Sequence, residues 1–364
     1  MVGGAAVGAG LILAACGSNT GTGAITTGTA NPTLAKPATK PSKIVMRAWG
    51  EPYSTSLAKF PAKTFTDKTG IPVEFDLTDF PEIQTKVEQA VKAGQRPPVD
   101  VVYTVAPHAY AASLRKYAVP LDLSLVTNFA DLSAAGKPDD GTSNWTNLYT
   151  YTLPVVYRKD KVQIPGPISW NDLFDPKYRG AFTFNLDPNL MVWPIAKMLG
   201  LDPATDDMTP VFDKITTFRP QMAAIIENDT QLIDFMNKGQ AYMALAIVGD
   251  TPYITEGAWI VPTEGVSLSA DALYVPKGLP DDVTYYAQVF MNECISPENQ
   301  TSYCTAVFAV PVHAKATPTS TMKGDPAFPF TDEELKKYEI PISNEVSTKN
   351  QDAWAEAFTV ALQP

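Results

Sequence analysis

The strongest restriction on the fold is a regular alternation of β-rich runs with amphipathic helices, beginning at Ile44. Ile44-Val45-Met46-Arg47-Ala48-Trp49 reads as a strand. Leu57, Phe60 and Phe65 then mark a helix that Gly70 ends, with Pro61 at a start or a kink. Residues 71–77 alternate as a second strand. Residues 81–93 form a helix with Ile83, Val87, Ala90 and Val91 on one face. Val99-Asp100-Val101-Val102-Tyr103 is a buried strand ahead of a helix over 107–117. This spacing predicts an α/β fold, and 364 residues predict two domains. Further on, the spacing predicts β structure over 149–157, 241–248 and 265–275. Helices are expected over 191–199, 211–218, 231–238, 281–294, 297–307, 331–337 and 352–362. No internal repeat is visible.

Ahead of Ile44 the chain is of another kind. An apolar run over 5–13 leads into Leu13-Ala14-Ala15-Cys16, a small-residue processing site that resembles a bacterial lipobox. Residues 1–16 are therefore expected to be an export signal, with Cys16 as the lipidated residue. The first charged side chain is Lys36, so a basic n-region is missing, and the true start is expected upstream of Met1. Residues 17–42, rich in Gly, Ser, Thr, Ala and Pro, lack apolar periodicity and read as a flexible tether. After export Cys294 and Cys304 meet an oxidising compartment, where a disulfide is allowed. The facing ends of helices 281–294 and 297–307 make a bridge geometrically plausible. Two buried free thiols are the equal alternative.

A net charge of −11 argues against nucleic-acid binding, which needs a basic footprint, and suits a cationic solute only weakly. The two histidines, His108 and His313, have no Cys or His neighbour at metal-ligand spacing, and each reads as a surface or helix-end residue. Nucleophile-elbow, zinc-protease and phosphate-loop motifs are missing from the sequence. No catalytic residue, cofactor or metal is implied, although catalytic triads scatter in sequence and leave an exported enzyme open.

Residues 169–188, SWNDLFDPKYRGAFTFNLDP, carry the most specific wording. Ser169 is a good helix N-cap, Trp170-Asn171-Asp172-Leu173-Phe174 makes one acidic turn, and Asp175-Pro176 stops it. The strand over 181–184 ends at Asn185-Leu186-Asp187-Pro188, and a carboxylate at a strand's C-terminal end is where open α/β sheets place ligand contacts. Residues 169–180 resemble the S-W-x-D-L-x-D-P-K-Y-x-G signature of extracellular solute-binding proteins of ABC importers, most similarly the spermidine/putrescine branch. The order of the other segments agrees from about Lys43 onward. The resemblance implies two α/β lobes of the type II periplasmic-binding-protein fold, joined by a hinge around a ligand cleft. Residues 43–150 with 271–314 would form lobe 1, and 151–270 with 315–364 lobe 2. It also implies delivery of a small, polyamine-like cation to an ABC permease by a lipid-anchored monomer facing the periplasm or cell exterior.

The same resemblance selects candidate ligand contacts. Trp49 and Tyr53 follow the first strand, where a Trp face and a Tyr ring could hold a protonated amine by cation–π attraction; a core role for Trp49 is the alternative. Asp271 matches an acid that contacts an amine in polyamine receptors, and Asp187 matches a family Asp at the strand-to-helix turn. Backbone-bonded turn roles compete at both. Thr104 matches a small hydroxyl contact, with a plain turn role equally open. Leu190 and Ser269 stand where the branch has an acid and a Trp, and a third family Trp falls near Val248-Gly249-Asp250. Asp250 or Tyr253 would have to compensate. Ferric iron, thiamine or an anion on the same scaffold is the runner-up reading; Tyr285-Tyr286 resembles the paired tyrosines of ferric receptors but falls in a different segment.

Overall fold

The computed structural model describes residues 32–363. Cys16 and the proposed start and signal lie outside the described residues. Strand β1 (Ile44–Arg47) leads to helix α1 (Tyr53–Leu57), which passes through a π-helical turn at Ala58–Ala62 into α2 (Lys63–Thr69). Pro61 sits in that widened turn, where the loosened ladder tolerates its missing N–H. Next come β2 (Val73–Asp76), α3 (Phe80–Lys92), β3 (Val101–Val105), α4 (Ala106–Leu114), β4 (Thr146–Thr152) and β5 (Val155–Arg158). The middle of the chain gives β6 (Phe182–Asn185), α5 (Val192–Leu199), α6 (Thr209–Thr216), β7 (Met222–Ile226), α7 (Asp229–Asn237), β8 (Met243–Leu245) and β9 (Gly257–Ile260). The last part gives β10 (Val266–Tyr274), α8 (Asp281–Cys294), α9 (Pro297–Val307), β11 (Val310–Pro311), α10 (Asp332–Tyr338), β12 (Glu339–Pro341) and α11 (Asn344–Leu362).

Two sheets result. The seven-stranded sheet runs β11-β4-β10-β3-β1-β2, with β12 also on β10; the five-stranded sheet runs β7-β6-β8-β5-β9. β1 is parallel to β2 and β3, whereas β10 is antiparallel to β3 and β4. In the second sheet β6 is parallel to both β7 and β8, so three neighbouring strands end at one edge. The α/β architecture agrees with the sequence expectation. The sequence reading does not place strands β7, β9 and β12, because each is short and carries no polar–apolar alternation long enough to mark it. α11 starts eight residues ahead of the expected 352, since the Ser343 side chain accepts the Val346 N–H and caps it there.

The signature stretch has a clear structural job. Ser169 caps the turn Trp170–Phe174 in a reciprocal box with Asp172. Its hydroxyl also donates to Glu264, and the fully buried Trp170 donates from Nε1 to the Gly265 carbonyl at 2.9 Å. Gly265 holds φ at 107°, and a Cβ there would lie 2.5 Å from the Tyr338 carbonyl oxygen, so only glycine fits. Residues 169–170 thereby fix the point where the chain returns into β10.

The end of the expected tether lies on the folded body. Leu34 N–H donates to the buried Asp122 carboxylate at 2.7 Å, and Lys40 Nζ donates to the Thr69 carbonyl at 2.6 Å. Asp122 gathers backbone donors that a polar tether can supply without apolar periodicity. Cys294 and Cys304 are both buried free thiols, and burial pushes both thiols up, away from reactive thiolate.

Gln300, wholly buried in α9, joins three elements. Its Nε2 donates to the carbonyls of Leu148 (2.6 Å) and Cys294 (3.1 Å), and its Oε1 accepts the Val312 N–H at 2.9 Å. Gln300→Met keeps the volume but strands those backbone groups, each costing about 1–3 kcal/mol when buried unmet. Urea unfolding of this variant should show a loss of about 3 kcal/mol or more; a loss below about 1 kcal/mol would mean that the three bonds are dispensable.

Candidate ligand-binding site

The residues singled out from the sequence gather where the C-terminal ends of the parallel strands face one another, with one exception. On the seven-stranded sheet, Asp271 lies opposite Val105 on β3 and Tyr149 on β4, so its side chain shares a face with Tyr149. Tyr149 OH donates to Asp271 Oδ2, and Trp49 Nε1 donates to the same oxygen at 3.0 Å. Because Tyr149 spends its proton on the carboxylate, its oxygen accepts from Tyr103 OH at 2.6 Å; Tyr103 is in turn 3.2 Å from Tyr303 OH. A buried hydroxyl chain therefore points at Asp271. Burial nevertheless outweighs these donors and the nearby Arg47, and pushes the Asp271 carboxyl up to about 6.

Trp49 does more inside the protein than expected. The Arg47 guanidinium lies 3.7 Å from its ring centroid and 5.2 Å from that of Phe80, so one face of the indole already carries a cation. Arg47 is itself buried, donates Nη1 to the Tyr103 carbonyl at 2.8 Å, and is pushed down to about 10 by burial. Trp49 thus orients Asp271 through its N–H. Tyr53 lies flat against Tyr149, with ring centroids 6.3 Å apart and planes within 8°. Burial raises its phenol well above the usual value, and the charges of Asp250, Asp271 and Asp229 raise it further.

Asp187 tips the second sheet. Its Oδ1 accepts the Asn189 N–H at 2.9 Å, the turn role foreseen as the alternative, and burial raises its carboxyl. Asp229 follows β7 and Asp250 follows β8, so the parallel strands β7, β6 and β8 all end in aspartates. Burial raises Asp229 and then the Asp187 charge raises it further; burial raises Asp250 strongly, with Asp229 adding to it. Among the described residues, none of these four carboxylates forms an ion pair with a Lys, Arg or His. One oxygen of Asp250 is buried with no hydrogen-bond partner.

Thr104 is the exception. It pairs with Ala272 and so lies on the opposite face of the sheet from Asp271, its hydroxyl buried and unpartnered. Odd and even positions of β3 face opposite ways, so a one-residue offset separates it from the cleft. Tyr253 is half-exposed, and Tyr285 and Tyr286 meet edge-on in α8, which packs on the core. His313 is buried, with Nδ1 accepting the Lys315 N–H at 3.1 Å, contrary to the expectation of a surface or helix-end residue. A cavity of about 160 Å³, lined by Ala106, Asn147, Thr150, Ala270, Glu339 and Asn344 among others, opens behind β4 and β10, and none of the four aspartates lines it. Asp229 was missed in the sequence because β7 was not recognised; an Asn-Asp helix start after a short apolar run was the available signal.

Comparison with known proteins bears on the family and the fold. Residues 62–330 match the family of bacterial extracellular solute-binding proteins, and the chain belongs to that family. A search of curated protein sequences gives no match. Among solved structures, the spermidine/putrescine transporter substrate-binding protein PotD from Streptococcus pneumoniae is similar, with a TM-score of 0.70 and 20% identity over 89% of this chain and 100% of that one. The GABA receptor Atu4243 gives a TM-score of 0.72 and 20% identity over 88% and 98%. The binding protein MotA from A. tumefaciens B6, in complex with glucopine, gives 0.72 and 18% over 88% and 100%. At these identities the likeness establishes the periplasmic solute-binding fold.

The Asp271 carboxyl titrates higher in the folded protein than its ordinary value of 3.8. A raised carboxyl favours the folded state most at low pH, and that contribution is lost as pH rises from about 4 through about 6. In the ligand-free protein, Asp271→Asn should therefore gain stability relative to wild type over that window, approaching about 3 kcal/mol by pH 7. Denaturant unfolding at pH 4, 5, 6 and 7 checks this; a difference that stays flat would show that Asp271 is not the buried titrating group.

Proposed function

We propose that this chain is the solute-binding component of an ABC importer and that it captures a small organic cation, polyamine-like in charge, between the two sheets. The observation that carries the reading is the set of four buried aspartates that, among the described residues, form no ion pair, Asp187, Asp229 and Asp250 on one side and Asp271 on the other, three of them acting on Tyr53, which stacks on Tyr149. A carboxylate closed away from water costs several kcal/mol unless a cation meets it, and a bound ammonium supplies that cation. Trp49 and Tyr149 converge on Oδ2 of Asp271, which leaves Oδ1 for the solute.

In this reading residues 43–150 with 271–314 and residues 151–270 with 315–364 are the two lobes, and the crossings near 151 and 265 act as the hinge. Closure is a population shift driven by the solute's better fit to the closed state, with no chemical step. The closed receptor then delivers its solute to a permease. Among the described residues no helix is long and apolar enough to cross a membrane, and lipid on Cys16 would hold the receptor at the cell surface as a monomer.

A thermal-shift panel of putrescine, spermidine, thiamine, amino acids, sugars, ferric citrate and phosphonates tests the ligand class. A solute at a hundred times its dissociation constant adds about 2.7 kcal/mol, and at roughly 2–4 °C per kcal/mol the midpoint should rise by several degrees. The rise is expected with the amines and should vanish in Asp271→Asn. A rise confined to ferric citrate or phosphonates would retain the receptor and discard the cation.

The anchor is tested separately in whole cells. Wild-type protein should partition into detergent and take up labelled fatty acid, while Cys16→Ser should do neither. Equal partitioning of the two forms would remove the lipid anchor.

A further inference from the structure

We propose that the cavity behind β4 and β10 is a second binding site, separate from the cleft, for a small zwitterion of the amino-acid class. None of the ligand contacts expected from the sequence lines it, and it stands apart from the cationic reading of the cleft. Strand register sets its side of the sheet. Thr150 pairs with Ala270 and Asn147 with Ala272, so both polar side chains stand on the face of β4 turned away from Tyr149 and Asp271. Alanine at 106, 135 and 270 leaves the space beside them open, about 160 Å³ in all. One ordered water needs roughly 10–15 Å³, so there is room for a larger occupant.

The polar lining names the chemistry. Asn147 is more than nine-tenths buried, and its Nδ2 donates to the Ala135 carbonyl at 2.8 Å. That bond fixes the orientation of the amide and leaves Oδ1 buried without a donor. Buried polar atoms in folded proteins nearly always have a partner, so an unmet oxygen in a cavity wall marks where an occupant supplies an N–H. Glu339, in the same wall, is half-buried and forms no ion pair among the described residues; burial raises its carboxyl, and Lys197 lowers it less. An ammonium group meets both. The opposite charge is present as well. Lys137 lines the cavity without an ion pair, its Nζ donating to the Ala130 carbonyl at 3.4 Å. Helix α4 starts in the wall at Ala106, and its dipole places positive charge there. Asp139, also in the wall, is turned to α11, where its carboxylate accepts the Asn344 N–H at 3.4 Å. A lone ammonium would leave Lys137 unmet, and a lone anion would leave Asn147 and Glu339 unmet. One small molecule carrying both charges satisfies all three.

Titration of the full chain with L-alanine, ethylamine and propionate, followed by NMR, tests the proposal; the last two are alanine without its carboxylate and without its amine. Alanine should shift the amide signals of Asn147, Ala270 and Asn344, and should bind at least tenfold more tightly than either fragment. Glu339→Gln and Lys137→Gln, at half-buried and exposed positions that tolerate the change, should each weaken alanine at least fivefold. Ala135→Leu, which narrows the cavity, should abolish binding while the unfolding midpoint shows a folded variant. Asp271→Asn should leave the alanine affinity within twofold of wild type. Loss of alanine binding in Asp271→Asn, with none in Glu339→Gln or Lys137→Gln, would move the amino acid to the cleft and remove the rear site. Ethylamine or propionate binding as tightly as alanine would overturn the zwitterion. No shift at Asn147 with any of the three would show that water alone fills the cavity, and the proposal would fall while the cleft reading stood.

Discussion

The backbone pairing of β10 is the constraint on which the molecule depends. Nine residues, Val266 to Tyr274, bond to β3 on one side and β4 on the other, and β12 extends the pairing at the strand's start. One strand thus joins the αβ crossovers of the N-terminal region to a segment that arrives directly from the five-stranded sheet. Its period of two places Ser269 and Asp271 toward the cleft and Ala270 and Ala272 toward the packed face under α4. A slip of one residue would exchange the carboxylate for an alanine. The irregularity between Asp271 and Ala272 lies beside Tyr149, the tyrosine that bonds the carboxylate. Bulges of this kind re-aim a side chain next to a binding site.

The electrostatic logic follows from that register. Asp271 is partly compensated inside its own sheet by Arg47, Trp49 and the tyrosine chain. The three aspartates across the cleft have no cationic partner among the described residues, and the charge of Asp187 raises Asp229 as that of Asp229 raises Asp250. Like charges gathered at one edge oppose approach of the sheets when all are ionised. A cation that enters the cleft changes the sign of that term, so in the proposed function the same residues would disfavour empty closure and reward filled closure. Population-shift arithmetic requires a solute to bind the closed state far better than the open one, and unmet charge gives that difference directly.

Much of this organisation was legible in the chain. The alternation from Ile44 onward gave the α/β class, and α8 and α9 fall where their apolar spacing put them. Ser169 could be read as a cap because capping is local chemistry. Trp49 could be placed just past the strand end, but its stacking on Arg47 could not, since that contact depends on how the chain turns after β1. Thr104 shows the opposite limit: its strand was recognised, yet the face it presents is decided by pairing with β10, some 168 residues away in the chain (272 minus 104). β7 escaped notice because five apolar residues without polar alternation do not by themselves distinguish a strand from a helix segment, and Asp229 was hidden with it.

The departures at Leu190 and Ser269 gain meaning only in three dimensions. Sequence order sets Asp250 sixty positions from Leu190 (250 minus 190), while the sheet order β6-β8 sets their turns side by side. Charge lost at one strand end can therefore be restored at the next without altering the scaffold. A ligand of fixed charge asks for carboxylates at given points in space, and neighbouring parallel strands offer several chain positions for each point. The charge presented at the sheet edge is then a property of the three-dimensional arrangement, which a motif written along one dimension does not record.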